Sequence, residues 1–257
     1  MTALAADLAA VARRALPLVD LTDLADGASE DGARALCARA VTRHGAVAAV
    51  CLWPRFVAPA RAALAGTGVR VATVVNFPAG GEDTRAVEAE TARAIGDGAD
   101  EIDLVWPWRA FLAGRPGFGE TQIVRVKRLC EGRATLKVIL ETGELADPAK
   151  IARAAGIALG AGADFLKTST GKVAVNATVP AAEILIDAIR ASGRPVGFKA
   201  AGGIRATADA AAYLAVADRI MGPAWASPAT FRFGASGLLD DLIAAIEGRP
   251  KSATGGY

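Results

Sequence analysis

Short runs rich in apolar and β-branched residues recur along the chain, and each is followed by an alanine-rich segment of helical composition. β-Branched and aromatic residues favour strands. Strands that alternate with helices pair in parallel through right-handed crossovers. The predicted strands are 16–22, 47–53, 69–77, 101–106, 135–142, 164–170, 195–201 and 231–236.

Eight such units, with no linker or change of composition between them, predict one α/β domain over residues 1–257, a (β/α)8 TIM barrel. An open doubly wound sheet is the structural alternative. A short amphipathic helix is expected at about 2–15, and the small, polar, glycine-rich residues 250–257 predict a flexible tail. The repeated Gly-Ala-Asp before 101–106 and 164–170 is typical of a helix-to-strand turn.

Charged residues fall on the face of several strands that should point into the barrel. Side chains alternate between the two faces of a strand. If Leu136 and Val138 pack under helices, Lys137 and Glu141 face inward. The same argument applied to the other strands places further charges inside the barrel: Glu101, Asp103, Lys167 and Lys199.

Two inward lysines beside a carboxylate suggest carbonyl chemistry through an imine. Lysine is nucleophilic only when it is unprotonated, and a neighbouring cation together with partial burial favours the neutral form. Asp103 can hold the second lysine and transfer protons. The alternative is an ion-pair network that only fills the mouth of the barrel.

The charge and cysteine content exclude several other classes. The 29 Lys+Arg nearly balance the 27 Asp+Glu, and no long charged block occurs, so neither nucleic acid nor a membrane surface is an expected partner. No apolar stretch is long enough to predict a membrane span. Three scattered cysteines and one histidine, His44, favour neither a disulfide framework nor a His/Cys zinc site, and indicate a reducing cytoplasm.

Glycine-rich loops follow the last three predicted strands. Gly202–Gly203 precedes the helix predicted after Thr207, and Ser236 opens another helix. Loops after strands 7 and 8, with helix N-termini, are the usual phosphate site of barrels that bind phosphosugars. Thr207 with Asp209 and Asp218 also fits ordinary helix capping.

At these residues the chain resembles the deoxyribose-phosphate aldolase family from end to end. The matching segments are VDLTDL, PRF, NFP, GADEIDLV, LKVILETGEL, GADFLKTSTGKVAVNAT, VGFKAAGGIR, RFGAS and KSATGGY. The resemblance implies a class I aldolase that reversibly cleaves 2-deoxy-D-ribose 5-phosphate into D-glyceraldehyde 3-phosphate and acetaldehyde. It implies no metal and no cofactor, and leaves open a homodimer or a homotetramer.

Carried over by position, Lys167 is the Schiff-base lysine, Lys199 lowers its pKa, Asp103 serves the proton relay, and Tyr257 is the C-terminal tyrosine of the site. The residues expected to line the pocket or contact substrate and its phosphate are Asp20, Thr22, Cys51, Lys137, Thr170, Gly171, Lys172, Gly202, Gly203 and Ser236.

Two departures from the family pattern bear on the phosphate site. Ala200 stands where proline is common, and Gly237 stands where a second serine is common. The glycine removes one hydroxyl that could contact phosphate. Two other functions stay open: a class I aldolase or transaldolase-like barrel with another substrate, and a phosphosugar-binding barrel without catalysis.

Overall fold

The computed structural model describes residues 3–249, with side chains from residue 7 onward. The barrel strands are β1 (Val19–Asp23), β4 (Ala49–Leu52), β5 (Arg70–Val75), β6 (Glu101–Val105), β7 (Thr135–Ile139), β8 (Phe165–Lys167), β9 (Gly197–Ala201) and β10 (Phe231–Ala235). These eight parallel strands close a barrel in the order β1-β10-β9-β8-β7-β6-β5-β4. Each lies within one of the eight predicted segments or overlaps most of it.

A two-residue pair, β2 (Val41–Thr42) and β3 (Gly45–Ala46), forms a separate antiparallel hairpin between β1 and β4. The closed order confirms the predicted (β/α)8 barrel and excludes the open sheet. No helix in the described residues is both long and apolar enough to cross a membrane.

Helices cover the outside of the barrel. They are α1 (Ala3–Ala15), α2 (Glu30–Arg39), α3 (Val57–Ala63), α4 (Thr84–Gly96), α5 (Trp108–Leu112), α6 (Gly117–Cys130), α7 (Thr142–Leu145), α8 (Pro148–Gly160), α9 (Val179–Ser192), α10 (Thr207–Met221) and α11 (Leu238–Ile246). Short 3-10 helices lie at Leu16–Leu18 and Pro54–Phe56. The tail predicted at 250–257 lies outside the described residues.

Several helices are capped at the N-terminus by a side chain. The cap accepts a hydrogen bond from a backbone N–H group that has no partner within the helix. The Asp147 carboxylate accepts from Ala149, and Thr178 does the same for Ala181 at the start of α9. Both helices have proline in their first turn, where its missing N–H costs nothing.

The Gly-Ala-Asp repeats are turns, as the sequence indicates, and each also joins neighbouring strands. Gly98 and Gly162 have φ of 101° and 98°, in the left-handed region that favours glycine. The carboxylate of Asp164 accepts from the N–H of Leu136 at 2.8 Å and pairs with Lys127. Asp100 makes the equivalent contact with Val71 at 2.9 Å.

Two separate sets of side chains pack on the two faces of the strands. The outer face carries apolar residues that meet the helices, such as Leu136, Val138 and Phe198, all fully buried. On the inner face of β4 and β5, Ala49, Cys51 and Val74 belong to a smaller apolar cluster. The interior also contains charged side chains, among them Asp103 and Lys199, and the ring of Phe165.

Every barrel strand is shorter than its predicted segment, and β1, β7 and β8 are three examples. Residues 16–18 form a 3-10 helix because Pro17 fixes φ in its first turn, so β1 begins at Val19. β8 covers only Phe165–Lys167, and β7 ends at Ile139. Glu141 has φ of 55° and begins α7, so the alternation that placed it in the strand does not apply to it.

The barrel interior predicts a strong effect of substituting Gly197. A methyl group there would lie 2.4 Å from the ring of Phe165, which is 4% exposed. Gly197→Ala should lower the free energy of unfolding by about 1–3 kcal/mol, the usual cost of overfilling a packed interior. Urea denaturation followed by circular dichroism measures it.

The matched control is Gly156→Ala on the exposed side of α8, where an added methyl meets no atom within 4 Å. Alanine in a helix should raise the free energy of unfolding by up to about 1 kcal/mol. Equal changes in the two variants would contradict the tight packing at Gly197.

Candidate active site

The strand register brings together four charged residues that alternation placed inside the barrel. Asp103 on β6 lies opposite Lys137 on β7, and Lys167 on β8 lies opposite Lys199 on β9. All are 3% exposed or less. Gly234 on β10 has no side chain, and a methyl there would lie 2.9 Å from the Cε atom of Lys199. The glycine thus leaves room for the lysine.

Asp103 is the centre of this group, because its one carboxylate contacts all three lysines. Its Oδ2 atom accepts from Nζ of Lys167 at 2.6 Å and from Nζ of Lys199 at 2.7 Å. Its Oδ1 atom accepts from Nζ of Lys137 at 2.8 Å. Charge-assisted bonds of this length are strong, and they fix the positions of the amines relative to one another.

A second set of ion pairs continues from this carboxylate through the interior. Lys199 also contacts Oδ2 of Asp20 at 2.6 Å, and Lys137 contacts Oε2 of Glu101 at 2.6 Å. Arg232 joins the two acids, with 2.6 Å to Oδ1 of Asp20 and 2.8 Å to Oε1 of Glu101. Buried charges are costly unless paired, and here each acid has at least two cationic partners.

The three lysines differ in the direction of their pKa shift. Burial lowers the pKa of Lys167 below its ordinary value, and Lys199 lowers it further, while Asp103 acts in the opposite direction. Burial would also lower the pKa of Lys199, but Asp103 and Asp20 outweigh it and raise that pKa. The pKa of Lys137 is raised in the same way by Asp103 and Glu101.

Asp103 itself stays ionised. Burial alone would raise its pKa, but Lys137, Lys167 and Lys199 hold it well below the ordinary value. The arrangement therefore consists of a carboxylate, two ammonium groups and the amine of Lys167, which loses its proton most readily. A neutral amine between charged groups can attack a carbonyl, and the charged groups can supply and remove protons.

The predicted pocket residues on β1 and β4 lie close to this group. Asp20 is fully buried and held by Lys199 and Arg232. The Sγ atom of Cys51 lies 4.0 Å from Oδ2 of Asp103, and burial raises the pKa of its thiol, so the sulfur stays protonated. Thr22 donates to the carbonyl oxygen of Asp20 at 2.8 Å.

At the carboxyl end of β8, the loop that carries Thr170, Gly171 and Lys172 turns back on itself. The N–H of Lys172 donates to Oγ1 of Thr170 at 3.1 Å, and its ammonium group pairs with Asp26 at 3.0 Å. Gly171 has φ of 84°, so a side chain there would be strained. The loop is therefore shaped by its own residues before any ligand is present.

The glycine loops predicted to hold phosphate are neighbours. A methyl on Gly171 would lie 4.0 Å from the Cα atom of Gly202, so the loops after β8 and β9 meet. Gly202 and Gly203 have φ of 86° and 85°. Ser236 is exposed at the end of β10. Their backbone and hydroxyl groups together offer hydrogen bonds to an anion.

The N-terminus of α10, which was expected to contribute to the phosphate site, makes hydrogen bonds within the protein. The first donors at the N-terminus of α10 are already bonded: Thr207 donates its N–H and its hydroxyl to Asp241, and the N–H of Ala206 donates to Asp209. The capping interpretation holds for Asp209, whereas Asp218 lies near the other end of the helix and pairs with Arg14.

Glu141 is buried as expected, but it does not belong to the charged group on the strands. Its Oε1 atom accepts from the N–H of Thr170 at 3.1 Å. Burial raises its pKa, against the opposing effect of that bond and of Lys167. Its position, where the chain leaves β7, indicates that it supports the loop after β8.

Arg232 is a member of the buried charged group that was not predicted from the sequence. The signal was available, because Phe231 and Phe233 lie on the outer face of β10 and alternation places Arg232 inside. The segment RFGAS was instead taken as a strand end that opens a phosphate loop. Tyr257 lies outside the described residues.

The sequence matches the family described as DeoC/LacD family aldolase over residues 18–241. It is 55% identical to the deoxyribose-phosphate aldolase of Agrobacterium fabrum (strain C58 / ATCC 33970) over 244 residues, 94% of each chain.

Solved structures agree. A crystal structure from Toxoplasma gondii ME49, provisionally named deoxyribose-phosphate aldolase, superimposes with a TM-score of 0.86 and 31% identity over 95% of this chain and 99% of that one. The deoxyribose phosphate aldolase of Aeropyrum pernix, described as tetrameric, gives a TM-score of 0.76 at 23% identity, over 95% and 98%, and shares the fold. The length of the family match and the identity to these relatives show that this chain belongs to the DeoC/LacD family of aldolases.

Proposed function

We propose that this aldolase reversibly cleaves 2-deoxy-D-ribose 5-phosphate into D-glyceraldehyde 3-phosphate and acetaldehyde through a Schiff base on Lys167. The observation that carries the proposal is the contact of three lysines with one buried carboxylate, Asp103, in which only Lys167 has a lowered pKa. The relative of Agrobacterium fabrum with 55% identity bears the name of this activity.

The reaction begins when the neutral Lys167 amine attacks the C1 aldehyde carbon of the open-chain sugar. Loss of water from the resulting carbinolamine gives a protonated imine. Asp103 and Lys199 lie within hydrogen-bond distance of each other and can transfer the protons that these steps require. The ammonium group of Lys199 also keeps the amine of Lys167 from regaining a proton.

Cleavage then breaks the C2–C3 bond. The C3 hydroxyl loses its proton, its electrons form the aldehyde of glyceraldehyde 3-phosphate, and the bonding pair moves to C2 to give an enamine. Protonation of C2 and hydrolysis of the imine release acetaldehyde and the free lysine. Tyr257, at the end of the chain, is proposed as the proton donor to C2.

Phosphate is proposed to bind at the loops of Gly171, Gly202–Gly203 and Ser236. These loops follow β8, β9 and β10, at the end of the barrel where such enzymes place their chemistry. Lys172, which is paired with Asp26, adds a cation to the same loop. A reducing cytoplasm is proposed as the location, since Cys37, Cys51 and Cys130 are all free thiols. The predicted homodimer or homotetramer stays a prediction.

Lys167→Leu should abolish aldol cleavage, because no amine is left at the reacting position. Acetaldehyde and borohydride should add a reduced two-carbon group to Lys167 of the wild type, and peptide mass spectrometry locates it. The matched control is Lys150→Leu on the exposed surface of α8, which should keep both the activity and the label. A label on Lys199 or Lys172 in the wild type would contradict the assignment.

Ser236→Asp should weaken the phosphorylated substrate selectively, because a second negative charge would face the phosphate. The KM for 2-deoxyribose 5-phosphate should rise about tenfold or more, corresponding to a repulsion of about 1.4 kcal/mol or more. Unphosphorylated 2-deoxyribose should be much less affected. Ser236→Asn, of equal size without charge, is the control, and equal losses for the two substrates would place the phosphate elsewhere.

A further inference from the structure

The ion-pair network inside the barrel contains more bases than acids. Within the described residues, four basic side chains are joined by direct contacts to three carboxylates. The bases are Lys137, Lys167, Lys199 and Arg232, and the acids are Asp20, Glu101 and Asp103. If every acid is ionised, three cations balance them and one base is left in excess.

The contacts identify which base is in excess. Lys199 contacts Asp103 and Asp20, and Lys137 contacts Asp103 and Glu101. Arg232 contacts Oδ1 of Asp20 and both carboxylate oxygens of Glu101. Each of these bases therefore contacts at least two carboxylates, and Lys137 also lies 3.7 Å from Oδ2 of Asp20. Among the carboxylates of the described residues, Lys167 contacts Asp103 alone, which it shares with both other lysines.

The other titratable groups near the network do not remove this excess. Cys51 faces it from β4 with its thiol protonated, and Glu141 faces Lys167 from the end of β7. Burial raises the pKa of the Cys51 thiol, and Glu141 forms no ion pair with a base of the network in the described part of the chain, where its Oε1 atom accepts from the N–H of Thr170. Arg70 on β5 lies 3.9 Å from Glu101, but its side chain is 57% exposed and solvent screens it.

Arg232 supplies the fourth positive charge of the network, and it does not contact Lys167. Its side chain is 5% exposed, its Nε atom donates to the carbonyl oxygen of Pro228 at 2.5 Å, and its guanidinium group lies 5.7 Å from the centre of the Phe165 ring. Guanidinium keeps its proton at every pH a protein tolerates. Its positive charge therefore compensates part of the negative charge of Asp20 and Glu101. Without Arg232, those two acids would interact more strongly with the ammonium groups of Lys199 and Lys137.

We propose that Arg232 and Glu101 are positioning residues that set the charge balance of the network, so that the excess positive charge falls on Lys167 and is removed by loss of its proton. This inference rests on the proposed Schiff-base function. Arg232 acts through Asp20 and Glu101, and it touches no reacting atom. Neutralising Arg232 should therefore favour the protonated form of Lys167, and neutralising Glu101 should favour its neutral form.

The experiment measures the rate at which acetaldehyde and cyanoborohydride label Lys167 as a function of pH. Arg232→Gln leaves three bases and three acids, so Lys167 should keep its proton to higher pH. The acid limb of the profile, in which the labelling rate rises with pH, should therefore move about one pH unit higher. Glu101→Gln leaves four bases and two acids and should move the limb lower by a similar amount. A shift of one unit is roughly tenfold in free amine at a fixed acidic pH.

Two further variants separate charge from structure. The double variant Arg232→Gln/Glu101→Gln has three bases and two acids, the same excess as the wild type, and its acid limb should return to the wild-type position. Arg232→Lys keeps the charge and should keep the limb in place. If Arg232→Gln does not fold, as judged by circular dichroism, Glu101→Gln still tests the balance, because Arg232 keeps its bond to Asp20.

Acid limbs that move in the same direction in the two single variants, or that do not move, overturn the inference. So does a double variant that departs further from the wild type than either single variant. Failure of the proposed function has a different signature: the wild type itself would then carry no label on Lys167 at any pH.

Discussion

A single buried carboxylate shared by three lysines is the interaction on which the site depends. Asp103 has two oxygens, and Oδ2 already accepts from both Lys167 and Lys199. Because the negative charge is divided among three cations, no lysine is fully neutralised by it. Lys137 and Lys199 each contact a second acid, whereas residues 3–249 provide no second acid for Lys167. The lowered pKa of Lys167 thus follows from its burial and from Lys199, with a single carboxylate to oppose them.

The barrel lowers the energetic cost of burying these charges. Burying an unpaired charge is costly, but each acid of the network holds at least two cations, and the strand register fixes their distances. Room for long side chains inside the barrel comes from Gly197 and Gly234, where added methyl groups would contact Phe165 and Lys199. The apolar contacts that stabilise the fold are made on the other face of the strands.

Strand alternation predicted the fold and the charged interior because both depend on local pattern. It failed at Glu141, where the chain leaves β7 in a left-handed conformation that no periodicity indicates. It could not predict which amine meets which acid, since Asp20 and Lys199 are joined only when the barrel closes. Nor could it predict that Thr207, the first residue of α10, bonds to Asp241 of another helix.

The central claim is that Lys167, and not Lys199, is the lysine that is neutral at lower pH. Carbon-13 labelling at lysine Cε, with NMR spectra recorded across a pH series, measures the ionisation of each amine directly. The signal lost in Lys167→Leu should titrate below the ordinary lysine pKa of about 10.4, while the Lys199 signal stays that of an ammonium group throughout. Loss of the Lys199 proton before that of Lys167 would contradict this account of the site.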